Sequence, residues 1–371
     1  RTDVLSVSAR VPLALEVDFS DPHQPFLFVA RLADKASELD INPGDRVVAV
    51  NGHEISEFVS WAEPYFAWST AENFWTLLAR LLPTINQNLP PQFYESVLRL
   101  KLRRDDGSEY DVRLTYYVSR ALKWPPLEKY PGFRKRLEFD SFDVYVPESE
   151  SKTLLLDWYG FRNDLTSSVD QLMTTADQEG WLDHDLIIDC LRSRGGSRGA
   201  YALRHFSPHP FKTTFGNLRL SDAAEAFVKR KLKQISEEDV RNADVPETLD
   251  RGQWLKAWLV EDVQPALKRG DSYSSTVPFK CAHLPKQSDG ILQPADKHFR
   301  GNLVCWFSPY GGSHLDQFAA MVIDNELGWT VGMPTGGYSN TWEYTEDVRF
   351  PESGKLAIRF MWTIGHTIRP N

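Results

Sequence analysis

The chain has 371 residues, of which 42% are hydrophobic and 25% charged, and its net charge is −9. That length allows two domains with separate cores, and the acidic balance argues against nucleic acid or an anionic membrane as the main partner. No apolar run reaches the roughly 20 residues of a membrane span, and the three cysteines (Cys190, Cys281, Cys305) lack metal-ligand spacing.

The first third is β-rich. LALEVDF (13–19), FLFVARL (26–32) and DRVVAVNG (45–52) are short runs of β-branched and aromatic residues bounded by Pro, Gly and Asp. Asn42-Pro43-Gly44-Asp45 signals a turn into a strand. A helix is expected over Asn73–Leu82, with Leu77, Leu78 and Leu81 to one side. VLRLKLRR (97–104) and YDVRLTYY (110–117) alternate apolar and polar residues around Asp105-Asp106-Gly107, a hairpin signal. Strands with one helix suggest a small β-barrel or sandwich module over residues 1–121.

LKWPPLEKYPGF (122–133) is Pro-rich and aperiodic, and it marks a boundary. Beyond it strands and helices alternate. TLLLDWYGF, HDLIIDCL and LVCWF read as strands; SSVDQLMTTADQEG, GAYALRHF and the segment from Ser313 read as helices. Cys190 and Cys305 fall inside apolar strands and read as buried thiols. Continuous apolar strands separated by helices predict an α/β core over 122–371, with a parallel sheet and crossover helices. Residues at about 207–300, charged and mostly helical between Leu218 and Arg269, read as an insert.

Two strand–turn–helix units carry the chemical interest. One holds Gly195-Gly196, the other Gly311-Gly312-Ser313. After Ser313, residues Leu315, Phe318, Ala319, Val322 and Ile323 repeat at helical spacing and predict a buried face. Free N–H groups at a helix start favour negative charge, and glycines allow close approach to the backbone. A serine there could attack a carbonyl while neighbouring N–H groups hold the oxyanion. Ser313-x-x-Asp316 also fits a capping box, and both Gly-Gly turns fit ordinary loop structure. Two such turns on adjacent parallel strands would face one crevice.

Several of these stretches together resemble the C-terminal-processing (tail-specific) serine protease family. PFLFVARLADKASELDINPGDRVVAVNG is similar to that family's PDZ domain. HDLIIDCLRSRGGS is similar to its Asp-x-Arg-x-x-x-Gly-Gly turn, with Asp189, Gly195 and Gly196 in place and Leu191 where the Arg usually stands. Ser313, Asp324 and Gly332-Met333-Pro334-Thr335-Gly336-Gly337 follow the register of the nucleophile and the Gly-Glu-Pro-Thr-x-Gly-Lys motif. The resemblance implies a PDZ-like domain followed by a crotonase-like core and serine endopeptidase activity through an acyl-enzyme on Ser313. It also implies oxyanion donors from the backbone N–H of His314 and of Gly195 or Gly196, a protein or peptide substrate, no cofactor, and an extracytoplasmic setting.

The family's lysine base falls on Tyr338, and a phenol of pKa near 10 is a poor base at neutral pH. The Ser–His–Glu branch (tricorn core protease and chlamydial protease-like activity factor type) avoids this lysine. Its His would lie just before residue 1 and its Glu just after residue 371. The chain opens at Arg1 without an initiator Met and stops at Asn371 after a strand pattern. It therefore reads as a fragment truncated at both ends and inactive or nearly so by itself.

Among other candidates, His314 should point away from Ser313, and His366 reads as a strand-face histidine with a lesser claim as base. His23 and His53 read as solvated turn residues; His205 and His209 form no metal triad. Asp324 reads as structural. Arg194 and Arg192 are candidates for a substrate carboxylate or for solvated roles. Trp329, Tyr338, Trp342 and Tyr344 are candidates for a cleft lining or for packing. The rival to catalysis is a non-catalytic peptide- or apolar-ligand-binding protein on the same fold.

Overall fold

The computed structural model describes residues 9–85, 95–126, 129–241, 255–278, 290–339 and 342–371. Cys281 and the opening segment 1–8 lie outside them. The chain divides into two compact units, Arg1–Pro131 and Gly132–Asn371.

In the first unit, β1 (Leu13–Asp18), β2 (Phe26–Leu32), β3 (Arg46–Val50), β4 (Val97–Arg103) and β5 (Glu109–Thr115) pair antiparallel in that order. Alternation decides the faces: in β4, Leu98, Leu100 and Leu102 are buried while Arg99 and Arg103 are exposed. Two helices follow β3, α1 (Ile55–Ala62) and α2 (Ala71–Leu81). α1 is not among the elements expected from the sequence, although Ile55, Phe58, Val59 and Ala62 carry the helical spacing and pack on the core. The α2 helix begins two residues earlier than expected because the Thr70 hydroxyl accepts the Asn73 N–H at 3.1 Å.

The second unit is built on a six-stranded sheet. Its strands are β6 (Phe133–Glu138), β7 (Phe142–Pro147), β8 (Thr153–Trp158), β9 (Asp185–Asp189), β11 (Leu303–Phe307) and β12 (Trp329–Gly332), side by side in that order. β10 (Phe215–Leu218) lies outside it. The last four strands are parallel, as continuous apolar runs predict. β6 and β7 extend the sheet antiparallel, so the sheet is mixed rather than wholly parallel. A short connection such as Glu148–Lys152 permits only an antiparallel neighbour, since a parallel one needs a crossover.

One sheet face packs on α3 (Leu165–Gln178), α4 (Gly199–Phe206) and α7 (His314–Asp324). Trp158 anchors that layer. It is fully buried, stacks on Phe142 with centroids 4.8 Å apart and meets Phe206 edge-on. Trp158→Ala should therefore cost about 3–5 kcal/mol, to be read from the shift in denaturation midpoint. Cys190 and Cys305 are buried, and burial pushes both thiols well up.

The described residues of the insert include α5 (Asp222–Arg241), α6 (Gln264–Arg269, entered by a π-helical turn over Leu259–Val263) and short strands before the first and after the second. β10 pairs with Val277–Pro278 on one side and with β15 (Gly365–Ile368) on the other. The insert is thus helical with strand pairings that the charged composition did not suggest. β13 (Glu343–Arg349) and β14 (Leu356–Thr363) form a separate hairpin. No helix of the described residues is long and apolar enough to cross a membrane.

Candidate active site

β11 ends at Phe307, and the chain then runs through Ser308–Gly312 into α7. Ser313 stands at the helix start with φ 63° and ψ −120°, a region that costs a non-glycine residue about 1–3 kcal/mol. The capping role expected of its hydroxyl is not realised: the side chain makes no cap hydrogen bond, and the residue is exposed. Caps work from an extended backbone that aims the oxygen at the first-turn N–H groups; a positive φ turns it elsewhere. The predicted helix face is buried at Leu315, Phe318, Ala319 and Val322, but Ile323 is 47% exposed.

The other Gly-Gly turn comes to meet this serine. Asp189 Oδ1 accepts the Leu191 N–H at 2.9 Å and closes the turn after β9. Arg194–Gly196 then pairs with Gly160–Phe161 as a short parallel ladder, where a free loop was expected. A Cβ on Gly195 would stand 2.7 Å from the Ser313 Cβ and from the Gly312 carbonyl oxygen, and 3.1 Å from Ser313 Oγ. A Cβ on Gly196 would instead strike the Phe161 oxygen at 1.9 Å, at a φ of 152°. Gly195 is therefore required by its contact with the serine, and Gly196 by the ladder beside it.

A third segment closes on the same point. The Gly336 N–H donates to the Gly311 oxygen at 2.6 Å, and the Gly337 N–H donates to Asp316 Oδ1 at 2.9 Å. The Tyr338 ring lies over Gly312, where a Cβ would come within 2.8 Å of Tyr338 Cδ2. Burial pushes the Asp316 carboxyl up from its ordinary value; the Thr335 hydroxyl and the N–H groups of Gly337, Ser313 and Tyr338 pull it back. A cavity of about 640 Å³ opens alongside between α7, β12 and residues 333–339, with Asp316, Phe307, Ile323, Met333 and Gly337 on its wall. The exposed Ile323 faces it.

His314 is buried with its ring turned inward, away from the exposed Ser313 side chain. Its Nε2 accepts the Gly199 N–H at 2.7 Å, and its Nδ1 pairs with Gln317 Oε1 at 2.8 Å. The amide acceptor fixes the proton on Nδ1. The ring so serves an N–H at the start of α4 that the helix itself cannot pair. His314→Ala should leave that buried N–H unmet and cost about 1–3 kcal/mol, measurable by chemical denaturation.

His366 sits in β15 opposite Asn217, exposed, with its ring 5.1 Å from that of Tyr273. Its contacts are with the insert. Arg194 is exposed, and its guanidinium forms no ion pair with the described residues. Asp324 is held by the Arg369 guanidinium near the end of α7, a structural role. The four candidate aromatics do not gather: Trp342 packs on Trp258 and Phe227, Tyr344 on Trp362, and Trp329 is 74% exposed on the edge strand. Only Tyr338 reaches the serine turn. No group of three metal-binding side chains occurs among the described residues.

The sequence matches no protein-family model and no curated protein. Its fold does have solved counterparts. The crystal structure of mature CPAF, the chlamydial protease-like activity factor, superposes with a TM-score of 0.68 at 16% identity, covering 98% of this chain and 75% of that one. Mature CPAF complexed with lactacystin gives 0.67 at 15% identity, over 98% and 76% of the two chains. A serine-to-alanine mutant of CPAF gives 0.65 at 16% identity, over 99% and 76%. The resemblance read from the residues is thus met at the level of fold: along nearly its whole length, this chain is similar to a chlamydial protease.

Proposed function

We propose that this chain carries the catalytic core of a serine endopeptidase, with Ser313 as nucleophile. One observation carries the reading: an exposed serine held at φ 63°, with Gly195 of the second Gly-Gly turn packed against its Cβ and Oγ. Ser313 Oγ attacks the scissile carbonyl and loses its proton to a base. The tetrahedral oxyanion is held by the backbone N–H of His314 and by one N–H of the Gly195-Gly196 turn. The peptide C–N bond then breaks as the base returns its proton to the leaving amine, and water releases the acyl group.

His314 is occupied by Gly199 and Gln317, and the His366 ring lies against Tyr273; we assign the base to neither. Tyr338, in the lysine position of tail-specific proteases, serves as a wall of the site, and Arg194 as an exposed contact for substrate. A Ser–His–Glu arrangement would give activation to a His–Glu pair. The antiparallel sheet and two helices of the first unit support a PDZ-like module, which would present extended peptide by strand addition. The parallel strands and crossover helices of the second support a crotonase-like core. The test is covalent labelling of the full-length protein by a fluorophosphonate probe: modification at Ser313 is expected, and a full-length protein that takes no label there would be a binding protein on the same fold.

A further inference from the structure

We propose that Asp316 is a positioning residue of this site, whose carboxylate clamps residues 333–339 onto the Gly311–Ser313 turn and so fixes the attack angle of the serine. The proposal rests on the reading of Ser313 as nucleophile. Nothing in the backbone of α7 requires the serine to sit at φ 63° and ψ −120°. Such a conformation persists only where its surroundings over-determine it, so whatever holds it must be local.

Asp316 is placed to do that. It lies one turn into α7, where an acid ordinarily caps its own helix. Here the carboxylate also takes the Gly337 N–H at 2.9 Å and faces the Tyr338 N–H and the Thr335 hydroxyl, all from the other segment. The same carboxylate faces the Ser313 N–H. One side chain of the nucleophile's own helix therefore ties down the loop that crosses it. Gly336 N–H to Gly311 oxygen makes a second tie on the near side of the same turn.

Gly312 makes the clamp possible. A Cβ there would meet Tyr338 Cδ2 at 2.8 Å, and Asp316 Oδ2 and the Tyr338 nitrogen at 3.1 Å each. Its absence lets the carboxylate and the loop close from two sides. Oδ2 is buried on the Gly312 side, while Oδ1 accepts the Gly337 N–H.

The charges nearby leave this carboxylate to its N–H and O–H donors. Arg369 lines the same cavity but is bound to Asp324, and the His314 ring on the same helix is taken by Gly199 and Gln317. Every group facing Asp316 donates, and an ionised carboxylate only accepts. An asparagine in its place would turn an NH2 toward those donors, whereas a glutamate would keep the acceptors at a small cost in fit.

The experiment measures fluorophosphonate labelling of Ser313 in the full-length protein against probe concentration, separating maximal rate from half-saturating concentration. Asp316→Asn is expected to lower the maximal rate by about tenfold to a hundredfold, the scale on which a displacement of about 1 Å acts. The half-saturating concentration should move by less than about twofold, and Asp316→Glu should recover part of the rate. Thr335→Val, which removes one donor and leaves the helix intact, should give a smaller fall of the same kind. A labelled wild type with Asp316→Asn at the same maximal rate overturns this proposal alone. So does an unaltered Thr335→Val, should Asp316→Asn fail to fold. A wild type that takes no label at Ser313 overturns the hydrolase reading and this proposal with it.

Discussion

In the full-length protein, Ser313→Ala is expected to remove fluorophosphonate labelling and to lower peptide hydrolysis by about 10⁵–10⁶-fold, the scale seen when a nucleophile that acts as part of a unit is deleted. The fold should survive. Ser313 is exposed and its hydroxyl caps nothing, and alanine pays much the same cost as serine at a positive φ. Labelling and thermal unfolding therefore separate cleanly: the first disappears while the second stays within a few degrees. Label retained by the alanine variant would mean that another residue is the nucleophile. Label absent from the wild type would favour a ligand-binding protein.

Gly195→Ala should come second in size. Its Cβ has no room, because the atoms it meets at 2.7 Å are the backbone oxygen of Gly312 and the Cβ of Ser313 itself. Neither is the far end of a flexible side chain, so one of the two turns must retreat. Either movement separates the serine from the amides proposed to hold the oxyanion, for an expected loss of about 10²–10³-fold in labelling rate. Overpacking should add about 1–3 kcal/mol of destabilisation. Gly196→Ala provides the contrast. Its Cβ would strike the Phe161 oxygen within the Gly160–Phe161 ladder, so stability should suffer more than the serine's reactivity does. Equal labelling of Gly195→Ala and wild type would remove the second turn from the site.

The strands and most helices were legible because they rest on local periodicity. Leu98, Leu100 and Leu102 alternate into the core, and Leu315, Phe318, Ala319 and Val322 recur at helical spacing and are buried. Helix α1 carries the same kind of signal, weakened because its short apolar stripe sits among the acidic Glu54, Glu57 and Glu63. β6 and β7 escaped for another reason: Arg134, Lys135 and Arg136 are polar residues of an edge strand, and the burial of Asp143 depends on partners remote from its own strand, Lys135 at 2.5 Å and Tyr159 at 2.6 Å.

The candidate site divides along the same line. Sequence alone determined that Ser313 follows an apolar strand and heads an amphipathic helix, that a second Gly-Gly turn follows another such strand, and that a tyrosine stands where a lysine base would. Those are properties of neighbours along the chain, set by turn chemistry and helical period. Only the tertiary structure decided that Gly195 lies against the Ser313 hydroxyl, that His314 turns inward to Gly199, and that Asp316 binds a loop 21 residues away. Each of these depends on the parallel order β8-β9-β11-β12, which brings the C-terminal ends of separate strands to one edge. A contact between remote segments is fixed by how layers pack, and no local pattern encodes it.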